Sequence, residues 1–418
     1  METYLARQAV FNRSLNVIGY ELLFRSGPEG FFCEGGGDQA ALRVIESSLN
    51  TFGLGGLAAG GRVFVQGTRR MLLEGTTSLL PPASSVIEIL VPATPDRELM
   101  EACRALKKAG YLIALDEFQS RQAKDPLVTL ADIVKVDFQT ASSEEKRSCA
   151  QARLAAGAKL LAKKLGVQSD FKEAADLGYA LFQGTFFSKP ELMLRKHIPA
   201  HKVIYLECLS EMNRAEPDLR KLEELFRRDV ALSLKLLRYV NSALVSLGRK
   251  LDSLKQAITM VGLDQMKKWV SLMALVAMGE DKPEELLVTS LVRARFCELM
   301  ALRAGLKVKA SELFMIGMLS VLDVIMGRPM LEVLADLPLS DEAKGALLGK
   351  TGVFGDILGF VFAYERAEWD LIPYYLDQLA LKDKLAVDLQ AIPSLYRDSV
   401  AWADQTFRNA SGEPGSRA

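Results

Sequence analysis

The residues best placed for chemistry in this chain are charged side chains set into apolar, strand-like segments. In DIVKVDF (132–138), Val134, Val136 and Phe138 share one face of a strand, and Ile133, Lys135 and Asp137 share the other. Glu88 lies within SVIEILV (85–91), and Asp116 closes the apolar run of YLIALDEF (111–118). If these strands share one sheet, several carboxylates and a lysine converge at one end. Buried charges are costly unless paired or functional. Such a cluster is therefore a site, the remains of one, or an ion-pair network that holds the strand ends together.

Histidine is scarce: His197 and His201 are the two in 418 residues. Their i,i+4 spacing would suit a metal on one helical face, but Pro199 between them disfavours a regular helix. They read as exposed residues of an interdomain linker. The scarcity argues against histidine-based general-base, phosphohydrolase or zinc chemistry. The five cysteines, Cys33, Cys103, Cys149, Cys208 and Cys297, form no CxxC pair and read as reduced, buried thiols.

The elements that must position these residues fall into two blocks. Up to about residue 195, strand-like runs alternate with amphipathic helices: VIGYELLFR (17–25), RVFVQG (62–67), SVIEILV, YLIALDEF, DIVKVDF, KLLAKK (159–164) and ALFQG (180–184) are the strands. This alternation predicts an α/β domain with a mostly parallel sheet, and the number of units predicts a barrel. From about 200 onward a 3.6-residue apolar period dominates and predicts an all-α domain. The boundaries expected are 1–198 for the barrel, 199–406 for the helical domain and 407–418 for a disordered tail.

Lys+Arg and Asp+Glu both number 52, so no net field draws the chain to nucleic acid or an anionic membrane. Its apolar runs WVSLMALVAMG (269–279) and LFMIGMLSV (313–321) fall short of the ~18 residues of a spanning helix. The opening METYLARQAVFNR has no signal-peptide core, and the expected location is the cytoplasm.

The motifs in combination resemble two families. GYELLFR, IEIL, IALDEF, VKVDF and FQGTFFSKP (182–190) are similar to the motifs of EAL domains, the barrel phosphodiesterases of cyclic di-GMP. RRDVALSLKLLRYVNSAL (227–244), with Asp229, Leu236, Leu237, Asn241 and Ser242, resembles the core of HDOD domains, helical relatives of HD phosphohydrolases without their metal ligands. The domain order is similar to EAL–HDOD signalling proteins of the YuxH type. The resemblance implies an EAL-type TIM-like (β/α) barrel followed by an all-helical HDOD domain.

It also implies a two-metal site of converging carboxylates and an asparagine. Glu21, Glu88, Asp116, Lys135, Asp137 and Gln183 match that pattern, and Arg25 matches the arginine of the opening motif. Gln66 replaces the asparagine, and Glu117 replaces the second aspartate of A-L-D-D-F. QSRQAKD (119–125) replaces the usual glycine-rich loop, and AKKLGV (162–167) places Lys163 and Gly166 where the family has glutamates. A register slip would put Lys164 there instead. In the second domain no residue of 202–418 is histidine, and Asp323 is a lone carboxylate on an apolar helix.

These departures favour a catalytically inactive scaffold, not an enzyme, without metal or cofactor, acting on unidentified signalling proteins. On this reading Glu21, Gln66, Glu88, Asp116, Glu117, Lys135 and Lys163 are vestigial. The alternative is a non-hydrolysing cyclic di-GMP receptor using Arg25, Asp137 and Gln183. An active phosphodiesterase is the third reading. A homodimer is compatible with any of them, and neither a nucleic acid nor a membrane is expected as partner.

Overall fold

The computed structural model describes residues 3–26, 61–90, 95–152, 157–188, 200–214, 216–228, 262–335, 337–383 and 389–411. The chain forms two compact units, Met1–Lys189 with Tyr364–Trp369 and Pro190–Ala363 with Asp370–Ala418.

Eight strands close into a barrel in the first unit: β1 (Thr3–Asn12), β2 (Val17–Ser26), β3 (Arg62–Gln66), β4 (Ser85–Leu90), β5 (Leu112–Asp116), β6 (Ile133–Asp137), β7 (Lys159–Leu165) and β8 (Leu181–Gly184). Neighbours from β2 to β8 pair in parallel, whereas β1 runs antiparallel to both β2 and β8. The sequence reading of a mostly parallel barrel holds, but β1 was missing from it. Its residues Leu5, Ala6, Arg7, Ala9, Val10 and Phe11 are all buried, so no polar–apolar alternation marks the strand. Arg7 is buried because its guanidinium lies over the Tyr20 ring, 4.1 Å from the centroid.

Sidedness follows the two-residue period. Val10, Phe64, Val86, Ala114, Ile133, Leu161 and Leu181 form one buried cluster inside the barrel. Val63, Val65, Ile87, Leu115, Val134, Val136 and Ala162 belong to a second cluster on the outer face. There they pack under α1 (Arg69–Leu73), α2 (Arg97–Lys108), α3 (Ser143–Gln151) and α4 (Gln168–Asp176), which contribute Met71, Leu99, Cys149 and Ala174. Asp96 caps α2 by accepting the Leu99 N–H at 2.9 Å. Lys107 on the last turn of α2 pairs with Asp132 at 2.6 Å, just before β6.

The second unit is helical throughout its described residues: α5 (Ala200–Met212), α6 (Leu219–Arg228), α7 (Leu263–Met278), α8 (Glu284–Arg303), α9 (Ala310–Leu319), α10 (Leu322–Met326), α11 (Met330–Ala335), α12 (Asp341–Leu347), α13 (Val353–Glu365), α14 (Ile372–Asp383) and α15 (Ile392–Ser411). Gly317 lets α9 lie against α8, since a Cβ there would stand 2.5 Å from the Arg293 carbonyl oxygen. Met266, Met273, Met278, Met315 and Met318 are buried and fill this core. Asp323 accepts the Val324 N–H at 2.9 Å, and burial raises its pKa.

Two expectations change. Residues 407–411 belong to α15 rather than to a disordered tail, because its buried face extends to Ala410. His201 lies in α5, not in a linker. His197, Cys33, Asp229, Leu236, Leu237, Asn241, Ser242 and residues 412–418 lie outside the described residues. Among the described residues, no helix is long and apolar enough to cross a membrane.

Candidate functional site at the barrel mouth

Two positions beyond the apolar interior layer, toward the C-terminal ends of the strands, the inward side chains become charged. Val86 leads to Glu88, Ala114 to Asp116, Ile133 to Lys135, Leu161 to Lys163 and Leu181 to Gln183. Glu21 joins them from β2, where it pairs in register with Phe64. This end of a parallel barrel is where side chains from separate strands can meet around one ligand.

Lys135 is the centre of the cluster. Its Nζ lies 2.7 Å from Glu88 Oε1, 2.9 Å from Glu21 Oε2 and 3.9 Å from Asp116 Oδ2, with the residue fully buried. Gln183 donates its amide N–H to Glu21 Oε2. Gln183 Oε1 is buried beside it without a hydrogen-bond partner. Lys163 Nζ reaches Asp116 Oδ1 at 2.6 Å, and the Glu117 N–H donates to the same oxygen at 2.7 Å.

The charges divide the two glutamates. Burial opposes ionisation of Glu21, but the Lys135 ammonium and the Gln183 hydrogen bond prevail and hold its carboxyl at about 2. Burial and the neighbouring Glu21 charge raise Glu88 well above the usual carboxylate range. Burial works against the Lys135 charge, yet Glu21, Glu88 and Asp116 together hold its pKa above the ordinary lysine value.

Asp137 is inward-facing, as the strand pattern predicted, but turns to the rim. Its Oδ1 accepts the N–H groups of Gln139 (2.9 Å) and Thr140 (3.2 Å), and its Oδ2 pairs with Lys164 at 2.7 Å. Burial opposes its ionisation, but the bond from Lys164 and the two N–H groups lower its pKa. Sequence reasoning missed this use of Lys164. The cause is a register irregularity in β7 between Ala162 and Leu165, with Lys164 at φ 61°. The bulge breaks alternation, so both Lys163 and Lys164 reach inward-facing carboxylates.

Gln66 is exposed at the end of β3 opposite Glu88, and Glu117 is exposed at φ 55°. Neither joins the buried cluster. Arg25 pairs with Tyr4 near the end of β2, and its side chain is outside the described residues.

Residues 198–335 match the HDOD domain family. YuxH of Bacillus subtilis (strain 168) is 33% identical over 402 residues, which cover 94% of this chain and 98% of that protein. The cyclic di-GMP phosphodiesterase CdgJ of Vibrio cholerae serotype O1 is 34% identical over 409 residues, 97% of this chain and 93% of that protein. The chain belongs to the EAL–HDOD family. Among solved structures, Klebsiella pneumoniae BlrP1 in its calcium and cyclic di-GMP complex is similar with a TM-score of 0.37 and 22% identity, over 46% of this chain and 56% of that one. The Bacillus subtilis YkuI protein, with an EAL domain, gives a TM-score of 0.37 and 16% identity over 63% of this chain and 71% of that one.

The expectation that this EAL–HDOD chain is no enzyme is overturned by the match to CdgJ, a phosphodiesterase aligned along nearly the whole chain. Its physical basis was weak in one respect. Scarce histidine excludes histidine-held metals, but a hard divalent cation needs only oxygen donors. Those donors are present. Glu21, Glu88 and Asp116 each offer a carboxylate oxygen within 4.8 Å of the others, and the orphaned Gln183 Oε1 adds a fourth acceptor beside Glu21. The set fits one divalent cation.

Proposed function

We propose that this EAL–HDOD chain is a phosphodiesterase that opens the ring of cyclic di-GMP at the mouth of its barrel. The observation that carries the reading is the convergence of Glu21, Glu88 and Asp116 within 4.8 Å at the C-terminal strand ends. A divalent cation held there supplies Lewis-acid stabilisation of charge on a phosphoryl oxygen. Water adds across one P–O ester bond of the ring, and the freed ribose hydroxyl carries away a proton.

The chain's own residues keep the donors in place. Lys135 fixes Glu21 and Glu88 relative to each other by donating hydrogen bonds of 2.9 and 2.7 Å to them, and Gln183 orients the Glu21 oxygen. Lys163 and Lys164 place positive charge at the rim, where an anionic phosphodiester approaches. Arg25, Asp137 and Gln183 are the proposed nucleotide contacts. Pre-set donors of this kind lower the barrier because they need not reorganise as charge develops.

The test is conversion of cyclic di-GMP to the linear dinucleotide by the purified chain with Mg²⁺ or Mn²⁺. The expected result is cation-dependent turnover that falls at least ~100-fold in Glu21→Gln. Binding of cyclic di-GMP without turnover under either cation would overturn the hydrolytic reading and leave a receptor.

A further inference from the structure

Hydrolysis of a phosphodiester commonly uses two cations about 3.5–4 Å apart, bridged by shared carboxylates, one on each side of the reacting phosphorus. A shared carboxylate must offer one oxygen to each cation. Asp116 does not have that second oxygen free. Its Oδ1 is taken by Lys163 Nζ at 2.6 Å and by the Glu117 N–H at 2.7 Å, while Oδ2 faces the inner cluster. Asp137, the other carboxylate toward the rim, is occupied on both oxygens by Lys164, Gln139 and Thr140.

The lysines are held there by the backbone. The β7 irregularity between Ala162 and Leu165 lets two consecutive lysines reach two inward carboxylates, which regular alternation forbids. The Lys163 side chain is 12% exposed and so is fixed in the wall rather than waving at the surface.

Charge counting agrees. Glu21, Glu88 and Asp116 when ionised carry three negative charges, and Lys135 and Lys163 carry two positive ones. One divalent cation brings the sum to one positive charge, which a single phosphodiester cancels. Two cations would leave three positive charges in a buried site.

We propose that the Lys163 ammonium stands where a second cation would otherwise share Asp116, so that the mouth takes one divalent cation per chain. The proposal rests on the phosphodiesterase reading of the same site. Its test counts Mn²⁺ on the full-length chain by equilibrium dialysis, with electron paramagnetic resonance to separate isolated from paired ions. Turnover of cyclic di-GMP is measured in the same samples. The expected result is one isolated Mn²⁺ on the wild type and a spin-coupled pair on Lys163→Glu. Lys163→Met, which removes the charge without adding a carboxylate, should admit a second Mn²⁺ more weakly than the first. Two Mn²⁺ on the wild type would overturn the inference while metal-dependent turnover left the phosphodiesterase reading standing. One Mn²⁺ on the wild type and on both folded variants would show that Lys163 is not the excluding group. No Mn²⁺ on the wild type would sink the inference and, with it, the cation-held phosphodiesterase reading on which it rests.

Discussion

Lys135 and its carboxylates make different demands on the fold, and single substitutions separate them. Removing one partner of a buried ion pair typically costs ~3–5 kcal/mol because the other charge is left stranded. Lys135→Met strands Glu21 and Asp116 and should lower unfolding free energy by about that much in urea titration. Glu88→Gln should cost under ~1 kcal/mol, since burial already favours a neutral Glu88. Equal losses in the two variants would mean that Glu88 is ionised in the resting protein. Glu21 also fixes a pH dependence. Its folded pKa of about 2 lies below the ordinary 4.5, so the unfolded chain binds its proton first as pH falls. The stability it contributes is complete above about pH 4.5 and disappears between there and about pH 2, on the order of 3 kcal/mol. Glu21→Gln should flatten the acid limb of a stability–pH curve, and an unchanged limb would refute the assignment. The inward direction of Lys135, Glu88 and Asp116 was legible from strand alternation alone. Glu21 and Gln183 came only through motif resemblance, because nothing in their own segments says which partners their side chains meet.

At the level of elements, β7 and β8 carry the departure from a regular barrel. Gly184 lies at φ 149°, and a Cβ there would sit 2.1 Å from the Leu165 carbonyl oxygen, immediately after the bulge. Gly184→Ala must therefore displace the backbone that seats Lys163 and Lys164. The expected effect is a destabilisation of ~2 kcal/mol or more in thermal unfolding, together with weaker binding of cyclic di-GMP. Wild-type stability in this variant would show that the strand contact is not tight. A bulge leaves little trace in a sequence, since it depends on the register between two strands and not on either strand's composition. Strand β1 escaped notice for a related reason. It is buried along almost its whole length, Arg7 included, so no alternation of polar and apolar residues marks it as a strand.

At the scale of the whole molecule, the change near residue 200 from a two-residue to a 3.6-residue apolar period announced two architectures, and each unit buries its own core. Units with separate cores can unfold separately. Calorimetry of the full chain should then show two transitions. A ligand that binds one folded unit stabilises that unit alone, by about 2.7 kcal/mol at 100 times its Kd. For a unit of 150–250 residues this corresponds to a rise of roughly 5–10 °C in Tm. Saturating Mn²⁺ should raise the barrel's transition by that amount and leave the helical one in place. Because the cation is assigned to Glu21, Glu88 and Asp116, the shift should vanish in Glu21→Gln while both transitions persist. A single transition, or a common shift of both, would mean that the two cores are thermodynamically one. A cation shift confined to the helical unit would move the metal site out of the barrel altogether.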